Sequence, residues 1–268
     1  MALKWRPRSY MEMKRHLKRN LAPLYRLHVR AIDRRRIANE LNRIADECGP
    51  VQSNRTGSSL SAFYNWAIRA GIVENNPASH RNDNEEHARE RVLSDAEIRT
   101  LWRGLGTDDF GVIAKLLLLT GQRRDEIGSL RRLEIDLEKS EIRLPPSRTK
   151  NKRPHTVPLS KPALEIIQAR PQTGEYIFGL KHGFRGWSAS RKRVDSLLTE
   201  HWTLHDLRRT AATKLGELGV QPHIIECILN HANGFRAGTA GIYNRNSYLP
   251  EMRQALDVWA KHVMELVS

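Results

Sequence analysis

Only two cysteines, Cys48 and Cys227, occur in the 268 residues. Both sit in helix-like apolar patterns, so no disulfide framework is indicated, and two lone cysteines do not make a structural zinc site. A reducing compartment fits that usage. Long apolar runs are also missing. The longest, around Val112–Leu119, is broken by Lys115 and falls short of the ~20 residues that a membrane span needs. It reads as a buried core helix. The first residues, MALKWRPRSYMEMK, have no apolar stretch of the signal-peptide kind. No Asp/Glu/His cluster has metal-ligand spacing. Gly104 and Gly106 lack the Gly-Lys-Ser/Thr that would complete a phosphate loop. The chain is therefore expected to work without a cofactor, a metal or a membrane.

Acidic residues are the other shortage. Lys and Arg number 45 against 30 Asp and Glu, giving a formal charge of +15 and a pI near 10.3. Such a balance favours a polyanionic partner. The excess is uneven: between Lys4 and Arg36 lie 12 basic residues against Glu12 and Asp33. A charge run is ordinarily a solvated face, but this density on short helices points to contact with a DNA backbone.

Length and pattern suggest two domains. Residues 1–78 read as all helical. Leu17, Leu21, Leu24 and Leu27, then Ile37, Leu41 and Ile44, recur at helical spacing. A further helix runs from near Asn54 to Ala70 with Leu60, Phe63, Trp66 and Ala67 on one face, and Gly71 stops it. Residues 79–91, SHRNDNEEHARER, read as a linker. Ser94 and Glu97 form a capping-box signature that opens a second domain, 92–268. That domain reads as helical with a small antiparallel β element, an α+β arrangement. Strands are expected at Leu133–Leu137, Glu141–Leu144 and Pro154–Leu159. Helices are expected at Lys161–Ala169, Ser188–Leu198, His205–Leu218, Pro222–Leu229 and Pro250–Val267.

Three stretches carry unusual chemistry. In Thr120-Gly121-Gln122-Arg123-Arg124-Asp125-Glu126, the Thr-Gly break puts Arg123 at a helix start, a good place for a phosphate, with Glu126 one turn on to orient the guanidinium. In His205-Asp206-Leu207-Arg208, His205 and Arg208 share a helix face. Asp206 buttresses that site or simply caps the helix. In Leu229-Asn230-His231, the histidine precedes Tyr243 by twelve residues. Alone, each pattern is ordinary. A lone tyrosine is usually a packed aromatic, and Tyr248 is as good a candidate as Tyr243 by spacing alone.

Taken in order, these stretches resemble the tyrosine recombinases, the family of phage and genomic-island integrases. The flanks that carry the likeness are TGQRRDEIGSLRRLEID, SRTKNKRPHTVPLS, WTLHDLRRTAATKLGELGV, ILNH and AGIYNRNSY, and the earlier stretch RTGSSLSAFYNWAIRAGIVENNPA looks like the end of a core-binding domain. The likeness runs through nearly the whole chain. It implies a two-domain DNA clamp, mainly α, whose catalytic residues are Arg123, Lys150, His205, Arg208, His231 and Tyr243, supported by Glu126 and Asp206. Arg124 competes with Arg123, and Lys152 with Lys150.

The resemblance implies site-specific cutting and rejoining of DNA through a 3′-phosphotyrosine. The arginines and His231 would grip the phosphate, His205 would act as base, and Lys150 would protonate the leaving 5′-hydroxyl. Partners implied are double-stranded DNA, a tetramer formed on DNA through the helix at 250–268, and accessory DNA-bending proteins. The alternative to assembly is that the stripe Met252, Leu256, Trp259, Val263 and Val267 docks on its own core. The place of work implied is the bacterial cytoplasm, at the nucleoid. A type IB topoisomerase-like enzyme and a DNA-binding regulator are the rival readings. The spacer between His231 and Tyr243, with Gly234, Gly238 and Gly241, is longer than in many phage integrases and suggests a mobile nucleophile segment. An arm-binding domain usual in relatives is not seen before Tyr10, which suggests truncation.

Overall fold

The computed structural model describes residues 7–79, 84–86, 89–231 and 246–268. The chain divides into two compact units, Met1–Arg89 and Glu90–Ser268, and each is taken by itself.

In the first unit, α1 (Pro7–Arg15) runs into a π turn, His16–Asn20, and two 3-10 turns, Ala22–Arg26 and Val29–Ala31. Two longer helices follow, α2 (Arg34–Cys48) and α3 (Pro50–Arg69). Asp33 caps α2 by accepting from the N–H of Arg36 at 2.8 Å. Gly49, at φ +91°, ends α2, and Pro50 restarts the chain as the first residue of α3. The sequence reading starts that helix near Asn54; a Gly-Pro break moves the start back to Pro50. Gly71, at φ +68°, ends α3, and the Ile72 N–H closes back on the Ala67 carbonyl at 2.9 Å, a Schellman stop. Leu21, Leu24, Ile37, Ile44, Leu60, Tyr64 and Ala67 are buried. Tyr64 takes the innermost place on α3, while Phe63 and Trp66 are only half-buried.

The second unit is built around α5 (Asp109–Thr120), in which every residue from Phe110 to Thr120 except Lys115 is buried. This is the apolar run expected to form a core helix, and among the described residues no helix is long and apolar enough to cross a membrane. Preceding it, α4 (Asp95–Gly104) opens with the Ser94/Glu97 capping box, both bonds present. A short α6 (Arg124–Gly128) follows α5, then β1 (Ile135–Asp136), β2 (Glu141–Leu144) and β3 (His155–Pro158) form an antiparallel sheet in the order β1-β2-β3. Leu144 pairs with His155 across β2–β3, which makes residues 145–154 the connecting loop.

The mainly α fold with one small sheet matches the expectation, but the first strand is shorter. Arg132–Glu134 forms a 3-10 turn instead, and Leu133 and Leu137 are 76% and 50% exposed. Apolar content without a covering layer does not extend a strand. The helices then run α7 (Lys161–Gln168), α8 (Trp187–Val194), α9 (Leu204–Glu217), α10 (Pro222–Leu229) and α11 (Leu249–Val267).

The helix α11 carries the apolar stripe for which assembly and docking on its own core are the two expectations. Met252, Leu256, Trp259 and Val263 are buried in the core of their own chain, and Trp259 Nε1 donates to the Leu118 carbonyl of α5 at 2.7 Å. In the single chain, α4, α5 and β3 cover this part of the stripe.

Candidate active site

The organising feature is the C-terminus of α10. The last carbonyls of a helix have no partner within it, and here side chains from other elements supply the donors. The Ile228 carbonyl lies 2.9 Å from Gln122 Nε2 and 3.1 Å from His155 Nε2. The Leu229 carbonyl accepts from Arg208 Nη2 at 2.5 Å. The Asn230 carbonyl accepts from Arg123 Nη2 at 3.3 Å and Asn151 Nδ2 at 3.2 Å. Three successive carbonyls thus gather the end of α5, the β2–β3 loop, β3 and α9. His231 is the next residue.

Asn230 makes this corner possible. It sits in the left-handed region (φ 49°, ψ 50°), which asparagine tolerates better than most residues. Gly121 does the same at the end of α5, at φ +64°, and its carbonyl accepts from Arg208 Nη1 at 2.7 Å. Arg208 therefore joins the C-terminal ends of two helices, where the helix dipole is negative.

Arg208 is buried, and its pKa falls to about 10. Loss of hydration is the largest cause, and the charge of Arg123 is the next, while Glu126 and Glu226 oppose it. It remains a cation at neutral pH. Buried Glu126 orients Arg123: its carboxylate accepts from the Arg123 backbone N–H and from Nη1, each at 3.1 Å. The helix-start N–H expected to face a phosphate is thus taken by Glu126, leaving the guanidinium as the group to offer. Arg124 points elsewhere. Its Nε donates to Asp125 at 2.9 Å and its guanidinium lies over the Trp187 ring, 5.0 Å from the centroid.

His205 is the second residue of α9, one turn before Arg208, and is exposed. Partial desolvation, then the charges of Arg209 and Arg208, push its pKa below the ordinary 6.5, against the pull of Asp206. Asp206 is fully buried and accepts from the Thr203 N–H at 2.7 Å, the Thr203 hydroxyl at 3.0 Å and Arg209 Nη1 at 2.7 Å. It caps α9 and holds Arg209 beside His205. His231 is exposed, and its Nδ1 lies 3.0 Å from Glu226 Oε2. Lys150 and Lys152 are exposed on the β2–β3 loop, with Lys152 in the left-handed region at φ 58°. Tyr243 and the glycines Gly234, Gly238 and Gly241 lie outside the described residues.

Several polar residues of the site escaped sequence reasoning. Buried His155 lies 3.1 Å from Gln122 Oε1. Arg148, within the basic turn, reaches buried Glu134 at 2.8 Å and the Ser129 carbonyl at 2.7 Å. Asn151 reaches Asn230. The one available signal was polar side chains breaking an apolar strand or helix-end pattern, as at Gln122 and His155.

A family model described as "Phage integrase family" matches residues 110–249, a stretch that holds every one of these groups from α5 to the start of α11. This chain belongs to the phage integrase family. It is 36% identical over 152 residues to prophage integrase IntA of Escherichia coli (strain K12); the match covers 53% of this chain and 36% of that protein. The chain thus spans about a third of that curated relative's length. Among solved structures, its fold is similar to a lambda integrase(75-356) dimer bound to a COC' core site, with TM-score 0.67, 19% identity and coverage of 85% and 89% of the two chains. It is also similar to a lambda integrase tetramer bound to a Holliday junction, with TM-score 0.69, 18% identity and coverage of 92% and 74%.

Proposed function

We propose that the chain is a site-specific DNA recombinase that cleaves and rejoins duplex DNA through a covalent bond to Tyr243, and so integrates and excises a mobile element. The observation that carries the reading is the convergence of Arg123 and Arg208 on adjacent carbonyls at the end of α10, beside His231. Arg208 is held by backbone carbonyls, and Arg123 by a carbonyl and the Glu126 carboxylate, so the pair keeps net positive charge for an external anion. A phosphodiester is that anion, and its pentavalent transition state gathers more charge on the non-bridging oxygens.

In this reading Tyr243 attacks the phosphorus, a tyrosyl O–P bond forms, and the bond from phosphorus to the 5′ oxygen breaks. Arg123 and Arg208 grip the non-bridging oxygens. His231, oriented by Glu226, turns its other ring nitrogen toward the same phosphate as a third polar contact. His205, kept neutral by partial burial and then by the charges of Arg209 and Arg208, takes the tyrosine proton. Lys150 gives a proton to the departing 5′ oxygen. Rejoining reverses these steps, and the bond energy is kept in the phosphotyrosine.

Residues 1–78 would act as the core-binding domain, 79–91 as the linker and 92–268 as the catalytic domain. The basic residues of the first unit support a grip on duplex DNA. The DNA-bound dimer and tetramer of lambda integrase make a tetramer on DNA the expected assembly of this chain, with accessory DNA-bending proteins as further partners. Work on DNA would place it in the bacterial cytoplasm, at the nucleoid.

The deciding experiment is covalent trapping. The full chain is incubated with a randomised pool of nicked duplexes, and adducts are separated on a denaturing gel and sequenced. One recovered family of sites, with adduct lost in Tyr243→Phe, is expected. Binding without any adduct would leave a DNA-binding regulator, and an adduct surviving Tyr243→Phe would remove Tyr243 as nucleophile.

A further inference from the structure

We infer that Asn151 is a positioning residue for Lys150, latching the β2–β3 loop to the end of α10 through Asn230; the inference rests on the reading of Lys150 as proton donor.

The geometry is reciprocal. Asn151 Nδ2 donates to Asn230 Oδ1 at 2.7 Å and to the Asn230 carbonyl at 3.2 Å. Its own Oδ1 accepts from the Arg153 N–H at 3.1 Å. One side chain therefore fixes the fold of its loop and ties that loop to another element. Asn230 is buried, whereas Lys150 and Lys152 on either side of Asn151 are exposed.

The other limb of the loop is anchored independently. Arg148 Nη2 donates to the carbonyls of Ser129 at 2.7 Å and Glu126 at 3.0 Å. Lys150 lies between these two anchors. A lysine stem is long and flexible, so the protein controls its reach by fixing its backbone. The Asn230 carbonyl that receives Asn151 also receives Arg123, and the preceding carbonyl receives Arg208. Through Asn151, the proton donor is referenced to the same corner as the phosphate-binding arginines. A misplacement of about 1 Å costs on the order of 10²-fold in rate.

The test uses a leaving group that needs no proton. A duplex with sulfur in place of the bridging 5′ oxygen releases a thiolate, because a thiol has a pKa near ~8.5. The tyrosyl O–P bond forms, the P–S bond breaks, and no proton is delivered. Single-turnover adduct formation is measured for the full chain on oxygen and sulfur versions of the duplex recovered by trapping. Asn151→Ala is expected to lose about 10- to 100-fold on the oxygen duplex. It should return to within about threefold of wild type on the sulfur duplex. Lys150→Ala should show the same pattern, and the double variant should be no slower than Lys150→Ala alone.

Thermal melting checks that each variant folds. Asn230→Gly offers a second route, since glycine keeps the left-handed backbone and its carbonyl while removing Oδ1; an intermediate loss, again rescued by sulfur, is expected. Equal losses on both duplexes, or full activity of Asn151→Ala on oxygen, would overturn the latch. If Lys150→Ala is itself not rescued by sulfur, the assignment of the lysine fails and the latch with it.

Discussion

Arg123 and Arg208 donate to neighbouring carbonyls, Asn230 and Leu229, at 3.3 and 2.5 Å. Two like charges so placed repel, and the charge of Arg123 adds to burial in lowering the Arg208 pKa to about 10. Glu126 and Glu226 offset part of the repulsion. A buried cation that is only partly compensated is costly for folding, and an anion seated between the two guanidiniums would relieve that cost. The arrangement fits selection for binding a phosphate rather than for stability.

Replacement of each arginine at the 123–124 pair separates their roles. Arg123→Ala should lower single-turnover adduct formation by about 10²–10³-fold, the usual loss for one preorganised donor. Arg124→Ala removes an exposed ion pair and a contact with Trp187, which together are worth about 2 kcal/mol of stability at most. Its cleavage rate should stay close to wild type. The reverse ranking would mean that Arg124 turns inward when DNA binds.

The pH profile of cleavage tests His205. Its folded pKa lies below the ordinary 6.5, so the neutral, proton-accepting form is dominant at neutral pH. Activity should hold as pH falls from neutrality and decline only on passing through the lowered pKa. The folding contribution has the same sign: it is present above the unfolded value and lost as pH falls through the folded one. Arg209→Gln removes a positive neighbour, which raises the His205 pKa and should move the acid limb to higher pH. A profile unmoved by Arg209→Gln, or a base role surviving in His205→Ala, would remove His205 as proton acceptor.

Salt dependence tests the first unit. Arg34, Arg35 and Arg36 are exposed and fill the first turn of α2. Basic residues there oppose the helix dipole, so their placement does not serve helix stability. Contact with DNA phosphates would account for it. Arg35→Ala should weaken binding equally for different duplex sequences. The slope of log K against log salt should fall by about one contact's worth. An unchanged slope would move the phosphate contacts to other residues.

Much of this was legible in the chain. Periodic apolar residues located α2, α9 and α11, because helices bury one face and leave a period of 3.6, and a continuous apolar run located α5. The Ser94 and Gly71 signals fixed helix ends because caps are local chemistry. The order Arg123, His205, Arg208, His231 identified the family. What stayed hidden were the long-range polar bonds. Nothing in the sequence ties Asn151 to Asn230, His155 to Gln122 or Arg148 to Glu134, since these pairs are set by how elements pack. The strand expected at Leu133–Leu137 failed for the same reason: exposure depends on which layer covers a segment.

The C-terminal helix α11 gives the last prediction. Trp259 is fully buried and donates to the Leu118 carbonyl at 2.7 Å. Trp259→Ala leaves a cavity and an unpaired carbonyl, which should cost about 3–5 kcal/mol. By contrast Val258 and Met264 are exposed at 42% and 36%, and Val258→Glu or Met264→Glu should shift stability by no more than about 0.5 kcal/mol. Denaturant titration of the full chain gives both values. Deleting residues 250–268 would open the core that α5 and α9 share with α11, so the shortened chain should be unfolded rather than a well-folded protein deficient only in assembly. A cooperatively folding deletion variant that binds DNA as a monomer would instead return α11 to the role of an exchanged assembly element.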